Sequence, residues 1–456
     1  MQTIRALAAS LASGQVSASG LAEASIDLLR QDWAKGDMSF ISFDMETTLS
    51  AAARSDKLRA GGYVPSLLAG LPVSLKDLFD IKGQVTQAGS RVLERAMSAS
   101  RDALAVARLR QAGAVFVGRT NMTEFAFSAL GLNPHFGTPR NPIDARWVAG
   151  GSSSGAATSV ARGHVVAALG TDTGGSIRIP AAFCGVTGFK PTARRVPLDG
   201  TIPLASSFDS IGALANSVDC CVVVDALLSG ERLSASPRPL EKLRLAVSSD
   251  YVGEDLDSEV AIAFTRTLEL LREAGASVKF VPFPELNELP SINKQGGLTA
   301  AEAWAFHRTH VETKSALYDP RVLQRIRLGE HVSAGYYISV LSARQRMVRI
   351  AHERLSRFDA WLMPTVSMVP PLLEPLERDD ALFFRTNARA LRNPSTVNFL
   401  DGCAISLPCH LAGERPVGLS VCGLPMHDQD VLAVAGGIEA LLIETRSNLK
   451  NKHKNT

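Results

Sequence analysis

Apolar residues recur along this chain with two different periods, and the two periods alternate. Residues 17–31 carry apolar side chains three and four positions apart behind a serine, which predicts a helix with a serine N-cap. Residues 70–80, GLPVSLKDLFD, then switch to a period of two, which predicts a strand. In that strand the apolar residues would face one way, and Ser74 and Lys76 the other.

The same alternation of helical and extended patterns continues through the rest of the chain. Helices are predicted over 102–113, where Asp102 is the expected cap, over 154–163 and over 257–276. Strands are predicted over 114–118, 164–172, 243–247, 277–283, 358–364, 404–408 and 417–423. Strands that alternate with helices in this way predict an α/β fold with a central, largely buried sheet.

The domain organisation follows from the absence of boundary signals between these elements. No Pro/Gly/Ser-rich linker and no internal repeat divides the sequence, so residues 1–456 are predicted to form a single domain. Residues 299–356 have a helical, amphipathic pattern. We expect this stretch to form a helical cap over the substrate.

Composition and charge narrow the function classes. The 456 residues are 46% hydrophobic and 20% charged, and the net charge of +3 is too small for a typical nucleic-acid-binding protein. No apolar run approaches the roughly 20 residues that a membrane span needs. The six cysteines include no CxxC pair, so reduced, buried thiols are expected. These observations indicate a cytoplasmic enzyme that has neither a nucleic-acid partner nor a membrane partner.

The stretch GTDTGGSIRIP, residues 170–180, places a serine directly after a run of small residues. Backbone N–H groups in such a run can converge on one point and hold an oxyanion while the hydroxyl attacks a carbonyl. The donors would come from Thr173, Gly174, Gly175 and Ser176. A glycine turn that merely ends a strand is the alternative that the loop alone leaves open.

A nucleophilic serine needs a base, and none of the nine histidines lies in a recognisable catalytic setting. Lys76 lies in an apolar strand, where desolvation would lower the pKa of its amine and favour the neutral form. The structural alternative is a lysine at a strand end that pairs with Asp77 or Asp80. Lys76 is therefore a candidate base whose environment decides its role.

The string GGSSSGAA, residues 150–157, admits two interpretations. Its GSSSG portion matches the G-x-S-x-G nucleophile elbow, with Ser153 as the nucleophile. That elbow requires a buried strand just upstream, whereas the preceding RNPIDARWVA contains proline and several charges. The alternative is that this loop supplies a hydroxyl that relays a proton between a lysine and a distant serine.

The segment from Gly150 to Thr192 resembles the signature of the amidase signature family. The strand that contains Lys76, the stretch GRTNMTEFAFSALG and the segment 203–218 extend this resemblance, which is strong over about residues 1–225. It implies the fold of that family, a large central, mixed but mostly parallel sheet covered by helices on both faces. Residues 65–225 would form its catalytic core.

The family pattern also implies a role for each matching residue. It assigns Lys76 as the base, Ser152 as the bridging residue held by a cis peptide bond, and Ser176 as the nucleophile that forms an acyl-enzyme. The oxyanion donors would again be the backbone N–H groups of the loop that ends at Ser176. Supporting hydrogen bonds around the site are implied for Ser153, Asp172 and Arg178.

The implied reaction is hydrolysis of a primary or aryl carboxamide to a carboxylate and ammonia or an amine, without a cofactor or a metal. The partner would be a small-molecule amide, and a homodimer is one assembly that the resemblance allows. The A-type subunit of glutamyl-tRNA(Gln) amidotransferase, which releases ammonia from glutamine, resembles the same pattern and is the main alternative. An esterase and a non-catalytic binding protein on the same fold are further alternatives.

The substrate pocket is the part of the site that the motifs define least. Aromatic residues near the signature could line an apolar pocket or could simply pack in the core. Those near the signature are Phe125, Phe127 and Phe136, and those from the expected cap are Trp304, Tyr336 and Tyr337.

Overall fold

The strand that carries Lys76 belongs to one large sheet. The structure, a computed structural model, describes residues 2–232 and 235–454, with side chains described up to residue 448. In chain order the strands are β1 (Phe40–Phe43), β2 (Pro72–Lys76), β3 (Val115–Thr120), β4 (Ala167–Asp172), β5 (Thr187–Lys190), β6 (Ser210–Ala215), β7 (Arg244–Val247), β8 (Ser277–Phe280), β9 (Ala360–Pro364), β10 (Cys403–Pro408) and β11 (Gly418–Gly423). Their order across the sheet is β1-β3-β2-β4-β6-β5-β10-β11-β9-β7-β8.

The sheet is mixed, as expected, but parallel pairing does not predominate in it. Among the described strands, β3–β2, β2–β4, β9–β7 and β7–β8 are parallel, whereas the other six neighbouring pairs are antiparallel. Connection length explains part of the antiparallel pairing. Only nine residues, 409–417, separate β10 from β11, and a parallel crossover usually needs a dozen or more.

Helices fill the connections between the strands. They are α1 (Ile4–Ala12), α2 (Ala18–Ala34), α3 (Met45–Ala60), α4 (Leu104–Gln111), α5 (Ser154–Ala161), α6 (Arg178–Cys184), α7 (Val218–Ser229), α8 (Ser258–Glu273), α9 (Leu289–Ile292), α10 (Gly297–Lys314), α11 (Pro320–Arg327), α12 (Ala334–Leu355), α13 (Leu373–Arg378), α14 (Asp380–Phe399) and α15 (Asp428–Lys454). Short 3₁₀ turns cover Glu124–Ala126, Leu240–Lys242, Pro284–Glu288, Ser315–Leu317 and Leu328–His331.

The helices cover both faces of the sheet, which the alternation of side chains along β4 makes visible. Ala167 and Leu169 belong to the apolar cluster that includes residues of α7. Ala168, between them, belongs to a different cluster that includes Ala156 and Val160 of α5. Because successive side chains of a strand point to opposite faces, α5 and α7 lie on opposite sides of β4. The expected arrangement of helices on both faces is confirmed.

The predicted strands and helices are present, but the expected cap of one helix is wrong. The helix predicted over 102–113 begins at Leu104, and its N-cap is Ala103, which makes no side-chain cap hydrogen bond. The carboxylate of Asp102 instead accepts a hydrogen bond from the backbone N–H of Lys82 and pairs with Arg110. Asp102 therefore lies one position before the N-cap, and its carboxylate forms tertiary contacts instead of capping the helix.

The cysteines have the environment that composition predicts. All six cysteines are free and buried, as expected. Among the helices that the structure describes, none combines the length and the apolar character that crossing a membrane requires.

The central strands bring several polar residues to one edge of the sheet. Strands β2 and β4 are parallel neighbours, so Lys76 and Asp172, their last residues, lie at the same edge. Strand β6 is antiparallel to β4 and begins there, with Ser210 opposite Asp172. The loop after β4, which contains Ser176, leaves the sheet at this edge.

Candidate active site

The side-chain nitrogen of Lys76 is fully buried and contacts two hydroxyl groups. Lys76 Nζ donates to Ser152 Oγ at 2.8 Å and to Thr171 Oγ1 at 2.8 Å. Burial lowers the pKa of Lys76 to about 7, although the negative charges of Asp172 and Asp209 oppose that change. An amine with this pKa is largely neutral at slightly alkaline pH and can accept a proton.

The alternative in which Lys76 pairs with a neighbouring carboxylate does not match the contacts. Asp77 is bound by Arg119, whose guanidinium lies 3.2 Å away, and by the backbone N–H of Gly89. Asp80 accepts a hydrogen bond from Thr86 Oγ1. Both carboxylates are therefore engaged elsewhere, and Lys76 faces hydroxyls instead.

Ser152 lies in a tight loop whose backbone is fixed on both sides. The peptide bond between Gly151 and Ser152 is cis, as the family resemblance implied. Gly151 N–H donates to the Ala129 carbonyl at 2.7 Å, and Thr123 N–H donates to the Ser152 carbonyl at 3.1 Å. A Cβ on Gly151 would lie 2.7 Å from the Gly131 nitrogen, so this position has no room for a side chain. The loop thereby holds the Ser152 hydroxyl against Lys76.

The next serine has a different environment, which bears on the nucleophile-elbow interpretation. Ser153 is fully buried immediately before α5, and its hydroxyl donates to the Thr171 carbonyl at 3.2 Å. The residues just upstream of this loop form turns and isolated bridges instead of a strand. The strand–turn–helix context that a nucleophile elbow requires is therefore absent at this described position.

Ser176 lies between β4 and α6 at the base of a cavity. Its residue is 5% exposed, and it lines a cavity of about 280 Å³ together with Thr173 and Gly174. The Ser176 carbonyl accepts a hydrogen bond of 3.1 Å from Ser153 N–H, which joins the two serine loops through their backbones. The structure thus brings Lys76, Ser152 and Ser176 to one region.

The backbone between β4 and α6 requires glycine at one position. Gly175 has φ of +127°, and a Cβ there would lie 2.6 Å from Ile179 and 2.7 Å from Pro394. The carboxylate of Asp172 accepts hydrogen bonds from the N–H groups of Gly175 at 2.8 Å and Ile177 at 3.2 Å. These contacts shape the loop that ends at Ser176.

Asp172 and Arg178 form a completely buried ion pair behind this loop. Arg178 donates to both carboxylate oxygens of Asp172, at 3.0 and 2.9 Å, and both side chains are 0% exposed. Burial alone would raise the pKa of Asp172, yet the Arg178 guanidinium and further hydrogen bonds hold it well below its ordinary value. Asp172 therefore stays ionised as a fixed acceptor for the loop.

Three further residues around the site were not predicted. Thr171 is the second contact of Lys76 Nζ. Asp209 accepts a hydrogen bond of 2.5 Å from Thr173 Oγ1, and burial raises its pKa to about 6. Asn398, at the end of α14, donates to Asp172 Oδ1 at 3.0 Å. The contacts of Asp209 and Asn398 join segments far apart in sequence, and no local pattern marks them.

Most of the aromatic residues that were expected to line the substrate pocket do not line the cavity above Ser176. Of the three phenylalanines near the signature, Phe127 lines it, whereas Phe125 packs against His307 and Tyr318. Phe136 is not among the described lining residues, nor are the three aromatic residues expected from the cap, Trp304, Tyr336 and Tyr337. Residues 289–328 do reach the cavity, but through Thr299, Ala300, Arg325 and Leu328, among others.

Two arginines are the charged residues among the described side chains that line this cavity. Arg325, on α11, lies with its guanidinium carbon 4.3 Å from the ring centroid of Phe127 and donates to the Phe127 carbonyl at 2.7 Å. Arg392, on α14, lies on the wall near Tyr251. No aspartate or glutamate is among the described residues that line the cavity.

Known proteins are similar to this chain over most of its length. The sequence pattern of the Amidase family matches residues 28–432. The chain is 36% identical over 411 residues to 2-amino-5-chloromuconic acid deaminase of Comamonas testosteroni, covering 89% of this chain and 88% of the relative. It is 34% identical over 470 residues to the A-type subunit of glutamyl-tRNA(Gln) amidotransferase of Chromohalobacter salexigens, covering 95% of each chain.

Solved structures show the same fold. A crystal structure of an amidase superposes with a TM-score of 0.87 at 31% identity, covering 96% of this chain and 99% of that one. A peptide amidase bound to the competitive inhibitor chymostatin superposes with a TM-score of 0.80 at 25% identity, covering 96% and 97%. The chain therefore belongs to the Amidase family, the amidase signature enzymes, and is a hydrolase that acts on carbon–nitrogen bonds.

Proposed function

We propose that this protein hydrolyses a small carboxamide through an acyl-enzyme on Ser176, with Lys76 as the base and Ser152 as the proton relay. The observation that carries the proposal is the 2.8 Å hydrogen bond between Lys76 Nζ and Ser152 Oγ, two side chains that are both fully buried. A buried amine with a pKa of about 7 suits a base that works near neutral pH. The second link of the relay, from Ser152 to the Ser176 hydroxyl, is part of the proposal.

The reaction proceeds in two balanced stages. Neutral Lys76 accepts the proton of Ser152 as Ser152 takes the proton of Ser176, and Ser176 Oγ bonds to the carbonyl carbon of the amide. The C–N bond then breaks, and the relay returns the proton to the leaving nitrogen, which departs as ammonia or an amine. Water attacks the acyl-enzyme by the same path and releases the carboxylate and free Ser176.

The negative charge of the tetrahedral intermediate falls on the carbonyl oxygen, and the loop after β4 supports its stabilisation. The proposed donors are the backbone N–H groups of Thr173, Gly174, Gly175 and Ser176. Asp172 fixes this loop by accepting from Gly175 and Ile177. Because Arg178 holds Asp172 ionised, the loop is organised before the substrate arrives. Ser153 supports it through its backbone bond to Ser176.

The test is ammonia release from a panel of amides by the purified chain and its variants. Ser176→Ala should abolish turnover, and Lys76→Ala and Ser152→Ala should each lower kcat by at least a thousandfold. Ser154→Ala is the matched control, because the buried Ser154 hydroxyl has no hydrogen-bond partner among the described residues. Labelling of Ser176 by a fluorophosphonate, located by mass spectrometry, tests the nucleophile directly. Labelling at Ser153 instead would overturn the assignment.

A second candidate function is that of a glutaminase component within an amidotransferase. The observation in its favour is the 34% identity to the A-type subunit of glutamyl-tRNA(Gln) amidotransferase over 95% of both chains. We favour the free amidase, acting alone or as a homodimer in the cytoplasm. Copurification with partner proteins, together with turnover of glutamine and of no other amide, would instead support the amidotransferase component.

We propose that the chain is one domain with a catalytic core and a helical cap. Residues 65–225 supply all three proposed catalytic side chains and would form the catalytic core of a single domain spanning residues 1–456. Helices within 299–356 would form the cap, because Thr299, Ala300 and Arg325 line the cavity above Ser176.

A further inference from the structure

Arg325 is half-buried, and its partners differ from those of the buried arginines of this protein. Arg178, Arg119 and Arg195 each contact a buried aspartate, at 2.9, 3.2 and 2.6 Å respectively. Arg325 contacts the face of Phe127 and a backbone carbonyl, and no described carboxylate forms an ion pair with it. Burial lowers the pKa of Arg325 to about 10, and no acidic neighbour counteracts it. A partly desolvated cation without a counter-ion gains stability when a ligand supplies the negative charge.

Arg392 is the second cation of the cavity wall, and it too forms no ion pair with a carboxylate among the described residues. The charges of Asp255 and Glu254 act on Arg392, but the Asp255 carboxylate pairs with Arg389 at 3.2 Å and the Glu254 carboxylate accepts from Tyr251 N–H at 3.1 Å. Arg392 itself donates to Asn393 Oδ1 at 3.1 Å and to the Glu254 backbone carbonyl. A neutral amide oxygen and a carbonyl satisfy its donors only in part, because a guanidinium carries five N–H groups.

The rest of the cavity wall carries no charge among its described residues. The described lining residues near these arginines are neutral, and the polar ones among them include Ser128, Asn293 and Ser395. An ammonium group entering this cavity would meet two positive charges and no carboxylate on the wall. An anionic group would meet two guanidinium groups, which bind carboxylates through paired hydrogen bonds.

We propose that the acyl part of the substrate carries two carboxylates, one bound by Arg325 and one by Arg392, and carries no ammonium group. This inference rests on the proposed amidase function, because it places the scissile amide at Ser176. It predicts an order of preference among small amides that depends on charge. The inference also implies that this pocket does not suit glutamine, because no carboxylate on the wall would pair with the α-ammonium group of glutamine.

The experiment is a charge series of amides with similar length. Valeramide is neutral, glutaramate has one carboxylate, the terminal monoamide of propane-1,2,3-tricarboxylic acid has two, and glutamine is glutaramate with an added α-ammonium. We expect kcat/KM to rise at least tenfold at each step from valeramide to the dianion, and glutaramate to exceed glutamine at least tenfold. A flat or falling series would overturn the inference. A rise that stops at glutaramate would overturn the requirement for a second carboxylate.

Variants assign the carboxylates to their arginines. Arg325→Gln and Arg392→Gln should each lower the ratio of kcat/KM for the dianion to that for valeramide at least tenfold. Arg327→Gln, at an exposed arginine on the same helix as Arg325, is the matched control and should leave the ratio unchanged. Ratios that stay the same in both cavity variants would overturn the proposal.

A binding measurement separates this inference from the proposed reaction. Ser176→Ala protein should bind the dianionic amide with a Kd at least tenfold lower than that for glutaramate, and Arg325→Gln in that background should raise the Kd at least tenfold. If no amide is turned over by the wild type but this binding order holds, the catalytic proposal fails and the anionic pocket stands. If amides are turned over without any preference for charge, the reverse is true.

Discussion

Lys76 Nζ lies as close to Thr171 Oγ1 as to Ser152 Oγ, at 2.8 Å in each case. The amine is therefore held between a hydroxyl of the neighbouring strand β4 and a hydroxyl of the loop before α5. In the proposed reaction the contact with Ser152 would relay the proton, and the contact with Thr171 would orient the amine. The relay would then be separate from the group that positions its base.

Replacing Thr171 by valine should test that separation. The valine has nearly the same shape but removes one hydrogen bond of Lys76, so we expect kcat to fall about tenfold, which corresponds to a net hydrogen-bond contribution of about 1.4 kcal/mol. Thr120→Val is the matched control, because Thr120 lies opposite Lys76 on β3 and its buried hydroxyl has no described partner. Equal loss in both variants would indicate general damage to packing.

The pH dependence of activity should show whether the Lys76 amine is protonated or neutral. Its amine must be neutral to accept a proton, and burial lowers its pKa to about 7. The rate constant kcat/KM should therefore fall tenfold per pH unit below about 7 and reach a plateau above it. Stopped assays of ammonia release between pH 5 and 9 measure this limb. A rate that is constant over that range would contradict a lysine base.

Asp209 should influence that limb from a distance. Burial lowers the pKa of Lys76, and the charge of Asp209 is one of those that oppose the change. Asp209→Asn removes the charge but keeps an oxygen that can accept from Thr173 Oγ1. The acid limb of the activity should therefore move to lower pH. Asp219→Asn, at an exposed carboxylate paired with Arg5, should leave the limb in place.

The buried pair of Asp172 and Arg178 should dominate the stability of the site. Asp172→Asn leaves the Arg178 charge without its ionic partner in a dry environment, which costs about 3–5 kcal/mol in comparable cases. Urea denaturation of the two proteins measures the difference in the free energy of unfolding. Asp144→Asn, which breaks the exposed pair with Arg146, should leave the denaturation midpoint unchanged. Equal midpoints for all three proteins would contradict the role of the buried pair.

Much of the fold could be predicted from the periodicity of apolar residues, because strand and helix patterns are local. Pairing direction is different, since a fully buried strand has the same apolar pattern in a parallel as in an antiparallel neighbourhood. The expectation of a mostly parallel sheet was therefore wrong. The short connection 409–417 was a local signal of antiparallel pairing between β10 and β11.

The site could be predicted only in part. The loops around Ser152 and Ser176 and the strand with Lys76 match the family signature, so the resemblance predicted these residues as one set, and the structure places them in one region. Asn398 contacts Asp172 across 226 positions of sequence, and such a contact leaves no local pattern. Most residues of the cavity wall could not be predicted for the same reason. Its composition depends on which turn of α11 and α14 faces Ser176, and this orientation is set by tertiary packing.

The position of β10 has a consequence for biosynthesis. Strand β5, which lies within the signature region, is completed on one side by β10, and Asn398 reaches Asp172 from the helix just before that strand. A ribosome makes the loop that contains Ser176 roughly two hundred residues before it makes these supports, and nascent domains generally fold as units. The emerging polypeptide therefore carries an unfinished hydrolase, which acquires its supports only after the ribosome has translated most of the message.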